Sequence, residues 1–337
     1  MQPELSQPLV AVEGLSVTFD AAHGPVFALQ NLSLQLDRGR TLAILGESGS
    51  GKSVTLRALL GLLPRHQARV GGSVRVAGHD VTKLSGRGLE RYRGKVASMV
   101  FQDPGTALDP VYKVGTQIAE SIVYHEGTSW SAASRRAVEL LELVKVPSAV
   151  LRANAYPHEL SGGLRQRVMI AVALACNPVL LLADEPTTAL DPTVQIQIVH
   201  LLRELQQELR MSVIFVTHDI GVAVEIADEI AIMYAGRIVE SASTTAITSN
   251  PAHPYTIALL AARTATAVKG LRLNAIAGSP PQLTERSTFC SFAPRCSRAQ
   301  AICRDQLPSR AHMEKDHFAE CFFPGSNRSS APSGRPS

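Results

Sequence analysis

Long hydrophobic runs are missing from this 337-residue chain. The longest apolar stretches, VMIAVALAC at 168–176 and PVLLLA at 178–183, fall well short of the roughly 20 residues that a membrane-spanning helix needs. The first ten residues, MQPELSQPLV, contain no basic segment followed by an apolar one, so no secretory signal is expected. The sequence therefore predicts an intracellular protein that does not itself cross a membrane.

A strong charge of either sign is also missing. The chain has 33 Lys and Arg against 29 Asp and Glu, and charged residues make up 18% of it beside 45% hydrophobic residues. This composition is globular, and the length is sufficient for one large domain and a smaller one. The basic cluster Arg87, Arg91, Arg93 and Lys95 is interpreted as a solvated face, so no nucleic-acid partner is expected.

Cysteine is scarce, yet four of the five cysteines lie close together near the end of the chain. Cys290, Cys296, Cys303 and Cys321 have the spacing C-x5-C-x6-C-x17-C, without the C-x2-C pairs typical of structural zinc. An intracellular location argues against disulfides. Spacing alone leaves a metal site and unligated thiols equally open. Cys176 lies in an apolar helical run and is predicted to be a core thiol.

Between residues 8 and 245, short β-branched runs alternate with helical patterns, which predicts an α/β fold with a largely parallel sheet. Four runs are apolar without alternation, as strands covered on both faces are: TLAIL (41–45), ASMVF (97–101), VLLLA (179–183) and VIFV (213–216). The residues that follow these runs are, in order, Gly46, Gln102, Asp184 with Glu185, and Thr217 with His218. Ligands bind at the carboxyl ends of parallel strands, so a shared catalytic edge is predicted.

The stretch GESGSGKS (46–53) fits the phosphate-binding pattern G-x-x-x-x-G-K-[ST] and lies between a predicted strand and a predicted helix. Its backbone N–H groups and the start of the helix are expected to surround the phosphate oxygens of a nucleotide. Lys52 is predicted to reach the β- and γ-phosphates, and the Ser53 hydroxyl to coordinate Mg²⁺. The predicted ATP-binding residues of this loop are Gly46, Glu47, Ser48, Gly49, Ser50, Gly51, Lys52, Ser53 and Val54.

The run VLLLADE (179–185) supplies a second part of the site. Asp184 ends a buried strand and is placed to contribute to the Mg²⁺ shell. Glu185 beside it is the candidate base for the attacking water.

A third segment, ELSGGLRQRVMIAVALACNP (159–178), predicts another anion-binding helix start. Ser161 is a good N-cap, Gly162 and Gly163 permit close backbone approach, and a helix is expected to run to Pro178. One phosphate loop and one separate helix end need not serve the same nucleotide.

Taken together, these motifs resemble the ATP-binding cassette (ABC) ATPases, the motor subunits of ABC transporters. LSGGLRQR resembles the family signature, ALD at 189–191 the D-loop with Asp191, VFQDP the Q-loop with Gln102, and VTHD the segment of the switch histidine, His218. The resemblance implies that two cassettes pair head to tail, with Ser161, Gly162 and Gly163 facing the ATP of the partner.

The resemblance also implies the roles of individual residues. Glu185, His218 and Gln102 would be catalytic, and Ser53, Gln102 and Asp184 would bind Mg²⁺. Phe19 lies at about the place of the aromatic residue that stacks on adenine, although a core position fits it equally well. Leu164 departs from the usual glutamine after the signature glycines, but the serine and glycines remain, so phosphate contact is expected to survive.

Longer segments are similar to the peptide and nickel importer branch of the family: FQDPGTALDPVYKVGTQIAE, DEPTTALDPTVQ and NPAHPYT. This similarity implies a bacterial importer of dipeptides, oligopeptides or a related small solute. The implied partners are a second ATPase subunit, preferably a different one, two transmembrane permeases and an extracytoplasmic solute-binding protein. The implied location is peripheral, on the cytoplasmic face of the inner membrane.

The resemblance implies a P-loop (RecA-like) ABC ATPase core at 8–250, with an antiparallel β subdomain and a helical insertion at about 105–175. A small irregular accessory domain would occupy 251–325, and a disordered tail 326–337. The resemblance further implies a [4Fe–4S] cluster on Cys290, Cys296, Cys303 and Cys321, with zinc as the alternative.

A rival hypothesis is an ABC-type ATPase that acts on nucleic acid or ribosomes without permeases. Such proteins usually carry paired cassettes, long coiled-coil insertions or strongly basic arms, and the sequence contains none of these. A cassette that binds ATP without hydrolysing it is disfavoured because Glu185 and His218 are both present.

Overall fold

The structure is a computed structural model that describes residues 7–64, 66–188, 190–267, 276–314 and 316–325. The tail predicted to be disordered, 326–337, lies outside the described residues. Within the described residues, no helix is both long and apolar enough to cross a membrane.

The first part of the chain forms a small antiparallel sheet and begins a larger one. Its elements are β1 (Val10–Ala21), β2 (Gly24–Leu36), β3 (Thr41–Leu45), α1 (Lys52–Leu59), β4 (Ala68–Val76), β5 (His79–Asp80) and α2 (Arg87–Tyr92). The small sheet has the strand order β2-β1-β4-β5. Its apolar side chains share one buried cluster with α1 and β3, which fixes the small sheet against the phosphate-loop region.

The middle of the chain is mainly helical. It comprises β6 (Ala97–Val100), α3 (Pro104–Ala107), α4 (Val114–Glu126), α5 (Trp130–Leu143), α6 (Ala149–Arg152) and α7 (Gly162–Leu174). Ile118, Leu140 and Ile170 are fully buried in a cluster common to α4, α5 and α7. Ser161 caps α7 as the sequence predicts, since its side chain accepts a hydrogen bond from Leu164 N, but the helix ends at Leu174 and does not continue to Pro178.

The last part returns to the larger sheet. Its elements are β7 (Leu180–Asp184), α8 (Pro192–Leu209), β8 (Ser212–Thr217), α9 (Ile220–Ile226), β9 (Glu229–Tyr234), β10 (Arg237–Ser243), α10 (Thr244–Ser249), α11 (Pro254–Ala267), α12 (Ala301–Asp305), β11 (Arg310–Glu314) and β12 (His317–Glu320). The larger sheet has the order β11-β12-β10-β9-β3-β8-β7-β6. Its strands from β9 to β6 are parallel, and the others pair antiparallel.

The four buried runs that the sequence predicts as strands correspond to β3, β8, β7 and β6, which are neighbours in the parallel sheet. Their carboxyl ends therefore meet at one edge, as expected for parallel strands. The boundaries differ slightly, because β7 includes Asp184 and β6 ends before Phe101, whose side chain is exposed. The predicted α/β fold, with its antiparallel subdomain and helical insertion, is confirmed.

The chain after residue 250, here called the accessory region, is attached to the larger sheet through a buried carboxylate. Glu240 on β10 is 0% exposed. It accepts hydrogen bonds from Ala252 N at 2.7 Å, His253 N at 2.8 Å and His317 Nε2 at 2.9 Å. One buried acceptor thus connects the start of α11, β10 and β12, and its bonds compensate for its burial.

Candidate nucleotide-binding site

The loop between β3 and α1 can be built only with glycine at two positions. A Cβ at Gly46 would lie 2.2 Å from Met233 O, and a Cβ at Gly51 would lie 2.7 Å from Ala28 O. Gly51 also has φ of 105°, a conformation that L side chains rarely adopt. The loop therefore packs tightly on β2 and β9, with its backbone exposed toward the cleft at the sheet edge.

Lys52 is the first residue of α1, and its side chain is 5% exposed. Its Nζ donates to Gly46 O at 2.8 Å and Glu47 O at 2.9 Å and lies 3.9 Å from Glu185 Oε1. Burial lowers the pKa of Lys52, while the nearby carboxylates of Glu185, Asp184 and Glu47 oppose this shift. The ammonium is thus positioned inside the loop, where a bound triphosphate would provide compensating negative charge.

Two side-chain oxygens beside Lys52 provide the donor set of a magnesium site. Ser53 Oγ donates to Asp184 Oδ1 at 2.9 Å, and Asp184 is 6% exposed. Burial raises the pKa of Asp184, and the hydrogen bond from Ser53 opposes that shift. Gln102 lines the same cleft and can add an amide oxygen. Hydroxyl, carboxylate and amide oxygens are ligands that Mg²⁺ accepts, so these residues fit the ion.

Glu185 follows β7 and points toward the end of β8. Its backbone has φ of 44° and donates from N to Val216 O at 3.0 Å. Its Oε2 accepts from Thr188 Oγ1 at 2.8 Å and lies 3.1 Å from His218 Nδ1. A non-glycine residue with positive φ is uncommon and is often found at functional sites. The carboxylate is thereby directed into the cleft.

The loop, Glu185 and His218 border one cleft of about 760 Å³, a volume typical of small-molecule sites. Sequence reasoning missed four of its lining residues: Val26, Ala28, Leu259 and Leu283. Leu283 is brought to the cleft by a hydrogen bond of 2.7 Å from Phe27 N to its carbonyl oxygen. No short motif marks these positions, because they come from β2 and from the accessory region.

Phe19 is not among the described residues that line the cleft. It is partly buried and packs against the cluster shared by the small sheet and α1. Of the two interpretations open at the sequence level, the geometry favours the core position. Ser50 is a further loop residue of interest, since its Oγ is buried and has no hydrogen-bond partner among the described residues.

The signature residues lie outside this cleft, at the start of α7. None of Ser161, Gly162 and Gly163 is among the described lining residues. A Cβ at Gly163 would lie 2.7 Å from Val194 Cγ1 of α8, which explains why a side chain does not fit there. Asp191 caps α8 by accepting from Thr193 N at 3.1 Å and Val194 N at 3.0 Å. The start of α7 thus packs against the start of α8, and the signature residues do not line the cleft of the same chain.

The iron–sulfur prediction is wrong for this chain. Cys290, Cys296, Cys303 and Cys321 line one small pocket, but among the described residues no group of three or more His, Cys, Asp or Glu side chains could hold a metal ion. All four are free cysteines. Burial raises the pKa of Cys290 and Cys296, and that of Cys321 to about 11. No zinc site is found among the described residues either.

Cys176 is buried near the end of the signature helix, and its Sγ lies 3.6 Å from Ser121 O. Burial raises the pKa of its thiol to about 11. The predicted core position of this cysteine agrees with its surroundings in the helical cluster.

A glycine loop between strand and helix, a buried lysine and two carboxylates at the end of β7 in the same parallel sheet define a P-loop nucleoside triphosphatase. The comparisons with known proteins make this class more specific. The ABC transporter family matches residues 29–188, and the oligopeptide/dipeptide transporter C-terminal region matches residues 239–303.

Similar curated proteins extend over nearly the whole chain. The oligopeptide transport ATP-binding protein OppD of Bacillus subtilis is 46% identical, covering 94% of this chain and 88% of that protein. OppD of Salmonella typhimurium is 44% identical, covering 96% of each. A putative peptide import ATP-binding protein of Brucella melitensis is 45% identical, covering 94% of this chain and 97% of that protein.

Among solved structures, the dimeric post-hydrolysis state of the ATP-binding cassette MJ0796, bound to ADP and Pi, matches with a TM-score of 0.63 and 30% identity. It covers 70% of this chain and 98% of that chain. The chain belongs to the family of ABC transporter ATP-binding subunits, in the dipeptide and oligopeptide importer branch. It is an ATPase, and the family assignment and the fold class made from the sequence are confirmed.

Proposed function

We propose that this chain hydrolyses ATP to drive the import of dipeptides, oligopeptides or a related small solute across a bacterial membrane. The observation that carries the choice of solute class is the match of residues 239–303 to the oligopeptide/dipeptide transporter C-terminal region. The relatives named above are oligopeptide transport or peptide import ATP-binding proteins. They are 44–46% identical to this chain and match 94–96% of its length.

In this proposal, the residues of the cleft bind and position Mg-ATP. Loop N–H groups bind phosphate oxygens, and the Ser50 hydroxyl, which has no hydrogen-bond partner among the described residues, is a further donor in the loop. Lys52 exchanges its two loop carbonyls for the β- and γ-phosphates. Ser53, Asp184 and Gln102 hold Mg²⁺, which when bound offsets negative charge on the phosphates.

Glu185 acts as the general base that orients and deprotonates the attacking water, with its carboxylate positioned by Thr188 and His218. His218 is more exposed than Glu185, with side-chain exposures of 58% and 16%. His218 is thus available both to Glu185 and to the γ-phosphate. We assign it the sensing of that phosphate.

The signature would complete the ATP site of a partner cassette. Ser161, Gly162 and Gly163 are separated from the cleft of their own chain, and the helix start at α7 offers N–H groups and a positive dipole end. The dimeric form of the similar cassette MJ0796 supports such pairing. We favour a hetero-pair with a different ATPase subunit, because Leu164 replaces the glutamine expected after the glycines.

The proposed assembly includes two transmembrane permeases and an extracytoplasmic solute-binding protein. The chain would bind the permeases peripherally, on the cytoplasmic face of the membrane. Gln102 and the helical segment that follows it would contact the permeases. They would transmit the closure of the two cassettes around ATP to the membrane subunits.

Reconstitution of the assembled transporter into vesicles tests this proposal. Peptides with the cognate binding protein should stimulate ATP hydrolysis by the assembled complex, and the Lys52→Ala complex should show no stimulation. Recovery of the chain with ribosomes or DNA in place of permeases, with no response to solute, would favour the non-transport alternative.

A further inference from the structure

Arg295 of the accessory region contacts the phosphate loop directly. Its Nη1 donates to Glu47 Oε2 at 2.7 Å, and its Nη2 donates to Glu47 Oε1 at 3.0 Å. Two parallel charge-assisted bonds of this kind fix orientation as well as distance. The Arg295 side chain is only 6% exposed, so water and salt screen the pair less than they would a surface ion pair.

Other groups hold the guanidinium of Arg295 in place. Its Nε donates to Ala277 O at 2.9 Å, its Nη2 to Ile276 O at 3.2 Å, and its Nη1 to Tyr234 Oη at 3.3 Å. The backbone of Glu47 is fixed as well, since its N donates to Tyr255 Oη at 3.1 Å. Glu47, the second residue of the GESGSGKS motif, is therefore held at both its main chain and its side chain by hydrogen bonds to residues outside the motif.

We propose that Arg295 is a positioning residue for the phosphate loop, through which the accessory region sets the affinity of the cassette for ATP. This inference rests on the proposed binding of Mg-ATP in the cleft. Glu47 lines that cleft, so its carboxylate lies beside the site of a polyanion. The guanidinium neutralises the carboxylate and holds it to one side of the loop.

Without Arg295, the carboxylate would be an uncompensated negative charge at the phosphate site, and like charges repel. Glu47 would also be released to turn toward Lys52, whose pKa already responds to its charge. The two effects have the same sign, because both weaken the attraction between the loop and the triphosphate. Removal of the Glu47 charge should then relieve much of the defect caused by loss of Arg295.

The test measures the Kd of Mg-ATP for the full chain as wild type, Arg295→Met, Glu47→Gln and the double variant. Arg295→Met should weaken binding by roughly tenfold, within the range of typical coupling between sites. The double variant should bind within about threefold of wild type, which is the non-additivity expected of a coupled pair. In the assembled ATPase, Arg295→Met should raise KM and leave kcat nearly unchanged.

Arg298→Met is the matched control. Arg298 also lies in the accessory region and donates to Phe323 O at 3.0 Å and to Gly325 O, away from the loop. Its loss should leave the Kd of Mg-ATP unchanged.

A folded Arg295→Met chain that binds Mg-ATP as tightly as wild type would overturn the inference, and so would additive losses in the double variant. If Arg295→Met fails to fold, Arg295→Lys replaces it. That variant keeps the charge but loses the two-bond geometry, and it should bind severalfold more weakly. A wild-type chain that binds no Mg-ATP would instead refute the proposed function.

Discussion

The Oε2 atom of Glu185 lies 3.1 Å from Nδ1 of His218, although the two residues follow different strands. The contact exists because β7 and β8 are parallel neighbours and their carboxyl ends coincide. It joins the candidate base to a histidine that is largely open to the cleft. In the proposed mechanism, a change at the γ-phosphate alters the position of the base through His218.

Replacement of Glu185 by glutamine should separate binding from chemistry. Glutamine keeps the shape and can still bond to Thr188, but it cannot accept the proton of the attacking water. We expect nearly unchanged ATP binding and hydrolysis slower by on the order of 10²-fold or more in the assembled ATPase. Glu208→Gln, at an exposed glutamate of α8, is the control. Near wild-type turnover by Glu185→Gln would remove Glu185 from the role of base.

Replacement of Asp184 by asparagine should reduce activity and increase stability. Burial raises the pKa of Asp184 in the folded state, so the fold disfavours the charged form. The charged Asp184 carboxylate therefore destabilises the fold. This destabilisation is absent at pH values below the pKa of Asp184 in the unfolded chain, and it grows as the pH rises through the pKa of Asp184 in the folded chain. The nucleotide-free Asp184→Asn chain should melt above wild type at pH 8, with a smaller difference near pH 4.

The Asp184→Asn variant should also hydrolyse ATP more slowly, by on the order of 10²-fold. Removal of one group that stabilises charge in a transition state typically costs this much. Thermal melts at several pH values and ATPase assays check the two halves of this prediction. A variant that is less stable than wild type at pH 8 would show that burial is not the dominant influence on Asp184.

ATP binding should depend on the side chain of Leu283 and not on that of Phe19. Leu283 lines the cleft, whereas Phe19 is partly buried and packs against the cluster shared by the small sheet and α1. We expect Leu283→Ala to weaken ATP binding by about fivefold through lost apolar contact. Phe19→Leu should lower the melting temperature and change the Kd of ATP by less than about twofold. The opposite pattern, measured by calorimetry, would return the base-stacking role to Phe19.

A bulky charged side chain in the signature should impair the ATP site of the partner cassette and leave ATP binding by its own chain unchanged. Ser161 is exposed and distant from the lining of its own cleft. We expect Ser161→Arg to leave ATP binding by the isolated chain unchanged and to reduce turnover of the assembled pair severely. Weaker ATP binding by the isolated variant would mean that the signature serves its own cleft.

Local signals in the sequence are sufficient to predict the parallel core. The runs at β3, β6, β7 and β8 are apolar on both faces, and this pattern depends only on neighbouring residues. The glycine loop is predictable for the same reason, since its geometry tolerates few residue types. The polar residues after these strands could be placed at one edge because parallel strands have one carboxyl edge.

Contacts between distant segments could not be predicted. Arg295 and Glu47 are separated by 248 positions, and nothing in the local pattern of either residue indicates the other. Leu283 reaches the cleft through a backbone bond to Phe27 that no side-chain pattern encodes. The cysteine spacing likewise shows how many thiols are available but not whether their geometry and ionisation suit a metal, and there the prediction was wrong.

In the proposed pair, two cassettes share each ATP, and this sharing is tested by ATP turnover of the purified chain alone and with its partner ATPase. The rate per chain should be low when sedimentation shows a monomer and should rise steeply as partner is added. Full turnover by a demonstrated monomer, at a rate independent of partner concentration, would contradict the account.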